Sequence, residues 1–404
     1  MSQSSFVVLG DRSSAAQAAR SLDGSRSLVQ QLSGRGSPVP GVLRPRTFRS
    51  ASSVCRASQI WGWRDYAERG RAAMITDTVR QGCEVQMKLV TFQHRAAARP
   101  GIWLDNGQVL DLEAAFATAR DRGIVSEQAP WSGSTPSVHA LIAAGERMVP
   151  ALLVLRERAL EGVLPDALVP ASDARLLAPI PRPAKNIFCV GRNYFEHVAE
   201  GYRARGLELK VPEHPQFFTK PPTAVIGPDA PVPLDPSVTE RLDYEVELAV
   251  VIGRTGLDIP PDQAFDHVFG YTIINDVTAR DLQRRHDQWF KGKGLDGSCP
   301  MGPWIVHRDA LPNPQDLEIS LTVNGEERQR ARTSQMIFDL PRIISDLSRG
   351  MTLEAGDIIA TGTPSGVGYA MDPPRLLAPG DIMECKIEGI GILKNEIALK
   401  PRSP

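Results

Sequence analysis

Two stretches of this chain bring carboxylates together in a way that could do chemistry. In LDYEVELAVVIG, Glu245 and Glu247 stand two apart, and GYTIIND ends on Asp276. Side chains two apart on a strand point the same way, so Glu245 and Glu247 share a face. Leu242, Tyr244, Val246 and Leu248 alternate with Asp243, Glu245 and Glu247, the period of a strand with one buried face. Ala249 to Ile252 is then apolar on both faces, so the acids lead into a buried sheet. Asp276 follows the apolar run Tyr271 to Ile274, at a strand end. Two carboxylates about 4 Å apart repel by about 4 kcal/mol at an effective dielectric near 20, and a third worsens this. Such a trio takes up protons or holds a cation, and oxygen-only ligands point to a hard divalent ion, Mg²⁺ or Mn²⁺. Taken alone, the Glu-x-Glu pair also fits a strand face that is simply solvated.

A second group lies upstream. In GRNYFEHVAE, His197 and Glu200 are three apart on a short helix and face the same side. A glutamate beside a histidine orients the imidazole and makes it a better base near neutral pH; a surface i,i+3 pair is the alternative. Lys220 precedes Pro221 and Pro222, which suits a fixed contact at a site wall or a solvated strand end. Arg280 and Gln283 share a helical face beyond Asp276, where an arginine fork suits a carboxylate. DIIATGTPSGVG reads as a strand breaking into a Gly-rich turn, whose backbone N–H groups and Thr363 hydroxyl suit an anion. The P-loop spacing and the G-x-S-x-G elbow are absent.

These residues need a strand-rich scaffold. Strands are expected at Leu89 to Phe92, Gly101 to Leu104, Asn186 to Val190 and Ile319 to Val323. Asn-Gly pairs at Asn106-Gly107 and Asn324-Gly325 mark hairpins, the first as a type I′ turn. Helices are expected over Leu112 to Arg120, Ser137 to Leu160 and Ile337 to Leu347, the last ended by Gly350. With 404 residues, 42% hydrophobic and 23% charged, the composition is that of an ordinary globular chain of two or three domains. A net charge of -1 gives no electrostatic case for nucleic acid or an anionic membrane. No apolar run approaches the ~20 residues of a membrane span. The five cysteines are odd in number and form no C-x-x-C pair, which argues against a disulfide framework or zinc site and fits a reducing compartment.

Residues 1–86 are Ser- and Arg-rich, poor in acids and without apolar periodicity, so a disordered extension is expected. It matches a mitochondrial transit peptide or leader sequence translated from an upstream start, with Met74 or Met87 as the true beginning. A cytoplasmic location is the first expectation and a mitochondrial one the alternative. Residues 87–180 read as a small α+β domain, closed by the stiff segment Pro179 to Pro183. Residues 181–404 carry the chemistry.

Taken in order, GRNYFEHVAE, FFTKPPTAV, LDYEVELAVVIG, NDVTARDLQ, WFKGKGLDGSCPMGP and DIIATGTPSGVG resemble the fumarylacetoacetate hydrolase family, among its members the acylpyruvases and 2-hydroxyhepta-2,4-diene-1,7-dioate isomerases. The resemblance runs from about Lys185 to Ile397. It implies an α+β fold, a mixed β-roll catalytic domain with a smaller N-terminal domain, assembled as a homodimer. It assigns Glu245, Glu247 and Asp276 to Mg²⁺ or Mn²⁺, and His197 with Glu200 to the activation of water. Lys293, rather than Lys291, would stabilise developing negative charge. Arg192, Lys220, Arg280, Gln283 and Thr363 would contact substrate, and the segment Gly201 to Pro215 would cover it.

The expected reaction is hydrolysis of a C–C bond in a 2,4-dioxo acid, an acylpyruvate or fumarylpyruvate-like compound, releasing pyruvate. The alternative keeps the cation and the enolate but changes the outcome: a lyase, decarboxylase, isomerase or hydratase acting on oxaloacetate, 2-oxohept-3-ene-1,7-dioate or ureidoglycolate. A non-catalytic metal-binding homologue is the remaining reading, and it predicts a broken set of site residues.

Overall fold

The computed structural model describes residues 86–131 and 134–400. All but the last residue of the expected extension, with Cys55 and Cys83, lies outside the described residues.

The described chain opens on a meander: β1 (Lys88–His94), β2 (Ala97–Leu104) and β3 (Gln108–Asp111) pair antiparallel in sequence. Leu104 pairs with Gln108 across a three-residue loop in which Gly107 alone takes positive φ, +83°. This is a longer hairpin than the expected type I′ turn, which needs two such residues. Asp111 caps α1 (Leu112–Asp121) by accepting from the N–H groups of Glu113 and Ala114. The helix expected over Ser137 to Leu160 is two, α2 (Val138–Ala143) and α3 (Val149–Leu160). Gly145, at φ +79°, parts them. Strands β4 (Leu168–Pro170) and β5 (Arg175–Leu177) return to the meander.

Next come β6 (Ile187–Gly191), α4 (Phe195–Arg203), β7 (Gln216–Lys220), β8 (Val225–Ile226) and β9 (Val232–Leu234). The acidic stretch follows as β10 (Leu242–Asp243), β11 (Val246–Ile252), β12 (Val268–Asn275) and β13 (Thr278–Ala279), leading into α5 (Arg280–Arg285) and α6 (Phe290–Lys293). The chain ends with β14 (Cys299–His307), β15 (Glu318–Val323), β16 (Glu326–Arg332), α7 (Leu340–Ser348), β17 (Ile358–Ala360), β18 (Ile382–Ile387) and β19 (Gly391–Leu399).

A twelve-stranded sheet runs β4-β3-β2-β1-β14-β12-β11-β17-β6-β7, with β5 on β1 and β8 on β14. A five-stranded sheet runs β16-β15-β18-β19-β9. Most pairs are antiparallel, but β6 with β17, β8 with β14 and β9 with β19 are parallel, so the architecture is the expected mixed one. Pairing of β1 with β14 carries the large sheet across the boundary expected near residue 180.

Strand β11 lies between two cores, which explains why its sequence is apolar on both faces. Ala249 and Val251 join the cluster that includes Leu112, Leu141 and Leu155. Leu248, Val250 and Ile252 join Ile319, Leu321 and Leu393 of the five-stranded sheet. A strand covered on both sides has no solvated face, so the alternation at its start does not mark exposure. Asp243, Glu245 and Glu247 are all buried.

Candidate active site

The single strand expected from Leu242 onward breaks at Tyr244-Glu245, and the break makes the site. Glu245 N–H donates to Asn275 Oδ1 at 3.0 Å, and Asp276 N–H donates to the Glu245 carbonyl at 2.8 Å. These bonds lock the entry of β11 against the exit of β12. One carboxylate oxygen from each of Glu245, Glu247 and Asp276 lies within 4.8 Å of the others.

The cations around this trio are themselves buried. Lys293 Nζ bridges Glu245 Oε2 at 2.7 Å and Asp276 Oδ2 at 2.6 Å. Lys220 Nζ sits 2.7 Å from Asp276 Oδ1, and Arg280 Nε 2.9 Å from Asp243 Oδ2. Arg280 Nη2 lies 2.7 Å from Glu245 Oε1, but too poorly aligned for a hydrogen bond, so that donor is left without a partner. Glu247 has no ion pair among the described residues; its Oε2 accepts only from Gly362 N–H at 2.8 Å.

The charge states follow this layout. Burial would raise the Glu245 carboxyl, but Lys293 and Arg280 overcome it and hold the group down at about 2. Burial, then the charges of Asp276 and Glu245, push Glu247 well above the usual carboxylate range. The floor thus carries one more acid than its own cations neutralise, with three hard oxygen donors converging. That donor set fits a divalent cation held by Glu245, Glu247 and Asp276.

Above the trio, His197 on α4 meets Glu200, with Nδ1 2.8 Å from Oε1. An ionised carboxylate only accepts, so the Glu200 contact puts the imidazole proton on Nδ1 and leaves the Nε2 lone pair free. The other oxygen, Glu200 Oε2, accepts from Gly366 N–H at 2.8 Å. The Gly-rich turn therefore does bind acidic groups, but they are the protein's own. Gly362 holds Glu247, Gly366 holds Glu200, and the N–H groups of Gly368 and Tyr369 hold Asp243 at 2.8 and 3.0 Å. Glycine is required at 366: φ is +105°, and a Cβ there would overlap the Arg328 carbonyl oxygen.

His197, Glu245, Glu247, Lys293, Arg192, Arg280, Gln283 and Thr363 line one cavity of about 340 Å³. Glu200 and Asp276 lie behind its wall, bonded to residues that line it. Lys220 departs from expectation. It is fully buried, and its ammonium bonds Asp276 and the carbonyls of Val277 and Lys293. It is a support beneath the floor rather than a substrate contact, because Pro221 and Pro222 direct the chain under the acids. Lys291 is exposed, whereas Lys293 is buried.

Several lining residues had no signal in local sequence: Arg205, Arg284, Trp289 and Tyr369. Arg192 takes the left-handed conformation at φ +57° and lies between the rings of Tyr202, at 5.6 Å, and Trp289, at 5.3 Å. Arg205 stacks on Tyr202 and Arg284 on Tyr369. Asp243 had the signal, two residues before Glu245 on the same face, but reads locally as part of the alternation.

Residues 186–398 match the family described as fumarylacetoacetate (FAA) hydrolase C-terminal. Oxaloacetate tautomerase YisK of Bacillus subtilis is 46% identical over 299 residues, covering 74% of this chain and 95% of that protein. Among solved structures, a fumarylacetoacetate hydrolase from Exiguobacterium antarcticum superposes with a TM-score of 0.62 at 40% identity, covering 78% of this chain and all of that one. A 2-hydroxyhepta-2,4-diene-1,7-dioate isomerase from Mycobacterium marinum gives 0.56 at 33%, with the same coverage. With the acid trio, the His–Glu pair and the buried lysine brought to one cavity, this chain belongs to the fumarylacetoacetate hydrolase family.

Proposed function

We propose that this protein is a divalent-metal-dependent enzyme, with Mg²⁺ or Mn²⁺ on Glu245, Glu247 and Asp276, that interconverts the keto and enol forms of a 2-oxo diacid of the oxaloacetate type. The observation that carries the reading is the His197–Glu200 pair fixed over the acid trio, in a cavity whose rim holds three arginines without carboxylate partners among the described residues. That surplus of positive charge suits a dianion better than a neutral acyl chain. The 46% identity to an oxaloacetate tautomerase, and the likeness to a diene-dioate isomerase, favour proton transfer over hydrolysis.

The bound ion supplies Lewis-acid stabilisation of enolate charge, which is otherwise too costly. His197 Nε2 removes a proton from the substrate carbon next to the 2-oxo group; the electron pair moves to the oxo oxygen, which takes that proton back from the His197 imidazolium, giving the enol and restoring the neutral base. Glu200 keeps the imidazole in the tautomer this needs and offsets its positive charge after proton uptake. Lys293 holds an ammonium beside the developing oxyanion, and burial makes that charge count for more than it would in water. Arg280, paired with Asp243 at 2.9 Å and with Glu245 at 2.7 Å, also lines the cavity, where its guanidinium suits a substrate carboxylate.

The same residues serve hydrolysis if a water stands where the C–H bond would be, which is why the reaction drawn from the sequence and its alternative share one site. The test is the ultraviolet absorbance of enol-oxaloacetate followed with Mg²⁺-loaded protein, beside pyruvate release from acylpyruvates. Accelerated decay of the enol without pyruvate release supports tautomerisation; pyruvate release from acylpyruvates at unchanged enol decay overturns it. The homodimer implied by the resemblance belongs to the same proposal, and light scattering tests it.

A further inference from the structure

Gln329 lies on β16, the edge strand of the five-stranded sheet, yet it is 1% exposed. The register of β15 with β16 shifts beside it: Leu321 pairs with Gln329, but Thr322 pairs with Glu327, leaving Arg328 as an extra residue. A bulge of this kind re-aims the neighbouring side chain, and here Gln329 reaches across to the cavity wall.

Its partners fix its amide without ambiguity. Val246 N–H, between the acids Glu245 and Glu247, donates to Gln329 Oε1 at 3.0 Å. The Pro364 carbonyl can only accept, and it takes a bond from Gln329 Nε2 at 2.8 Å. The orientation is therefore set from both ends by backbone groups that have one role each. The second Nε2 hydrogen goes to Thr363 Oγ1, also at 2.8 Å. Thr363 then acts as acceptor in that bond, and its own hydroxyl hydrogen has no acceptor among the described residues. Thr363 is 3% exposed and lines the cavity. A buried hydroxyl hydrogen without a partner wants one.

We propose that Gln329 is a positioning residue for this site: by donating to Thr363 Oγ1 it commits the threonine hydroxyl to donate into the cavity, toward an anionic oxygen of the bound 2-oxo acid. The amide also ties the strand bearing Glu245 and Glu247 to the turn bearing Thr363, so the acids and the donor hold a fixed spacing. This rests on the reading that the cavity takes a 2-oxo acid anion, and the test is built on binding so that it stands whichever reaction follows.

The probe is oxalate, a planar dianion with the two adjacent oxygens of a 2-oxo acid, titrated into Mg²⁺-loaded protein by calorimetry. Thr363→Val is expected to weaken oxalate binding about tenfold, the size of one hydrogen bond to a charged group, while Thr363→Ser stays near the parent. Gln329→Met, of similar volume, is expected to lose about as much, and Gln329→Met with Thr363→Val to lose no more than either alone. Additive losses, or Gln329→Met binding oxalate like the parent, overturn the proposal. Should Gln329→Met fail to fold, Thr363→Val still decides, because parent-like oxalate affinity in that variant removes the donor the proposal requires. Absence of turnover with oxaloacetate, by contrast, strikes at the proposed reaction and leaves the binding cycle readable.

Discussion

On the cavity floor, Asp243, Glu245 and Asp276 each lie against a buried cation, with separations of 2.6–2.9 Å. At the rim, Arg192, Arg205 and Arg284 have no carboxylate within ion-pair distance among the described residues and rest on the rings of Tyr202, Trp289 and Tyr369. The two regions hold charge for different ends. A buried group cannot leave its charge to water, so each floor residue is committed to a neighbour, and removing one strands the next. Arg205 and Arg284 are exposed and keep their hydration, so their N–H groups remain available to a ligand at small cost to the fold. The aromatic faces orient the guanidinium planes without neutralising them. Floor residues should therefore govern both folding and turnover, and rim residues binding alone.

The largest effect should come from stripping the floor of its ion. Chelation with EDTA, or Glu247→Ala, is expected to lower turnover by about 10³-fold or more, since several kcal/mol of charge stabilisation is lost. Mg²⁺ should restore the chelated protein but not the variant; a chelated enzyme at parent rate breaks the scheme. Next, His197→Ala should lower kcat by about 10²–10⁴-fold with little change in the unfolding midpoint. Parallel kcat and stability losses would instead make α4 a structural prop.

Lys220→Met tests the floor as a scaffold. It leaves Asp276 with one cation in place of two, and breaking a buried pair costs about 3–5 kcal/mol, read as a lower urea midpoint. A midpoint unchanged in Mg²⁺-free buffer would mean that the floor is wetter than its burial suggests. At the rim, Arg205→Ala and Arg284→Ala should each raise KM about tenfold for a diacid while leaving stability within about 0.5 kcal/mol of the parent. The smallest effect is salt. Raising NaCl shortens the screening length below about 10 Å, so KM of the parent should climb modestly, and that of the Arg205→Ala, Arg284→Ala double variant, which keeps only Arg192 at the rim, should climb less.

Legibility differed between the same two regions. Glu245 with Glu247 and His197 with Glu200 were readable because short spacing on a strand or helix dictates which side chains share a face, and Asp276 because it closes an apolar strand; Lys293 came only with the family resemblance. Lys220 was placed correctly along the chain and wrongly in space. A lysine before two prolines announces a fixed direction but not whether it points to solvent or beneath an acid. Of the rim arginines, Arg192 came with the family resemblance, whereas Arg205 and Arg284 were unreadable because they belong to segments about 80 residues apart and nothing in either marks it as lining a common cavity. The helix break at Gly145 was visible as a residue but not as a stop, since one glycine costs a helix only about 1 kcal/mol.

The sequence alone determined the type of chemistry: hard oxygen donors at strand ends, an oriented imidazole, and a glycine-bearing turn after a short apolar strand. Those follow from residue types and from the two- and three-residue periods that local backbone imposes. Only the tertiary structure decided who neutralises whom. Gly362, Gly366 and Gly368 bind Glu247, Glu200 and Asp243 across more than 100 residues of chain, and Gln329 reaches Val246 and Thr363 from another sheet. Such pairings depend on how two sheets and a turn stack in three dimensions, and no local period encodes that.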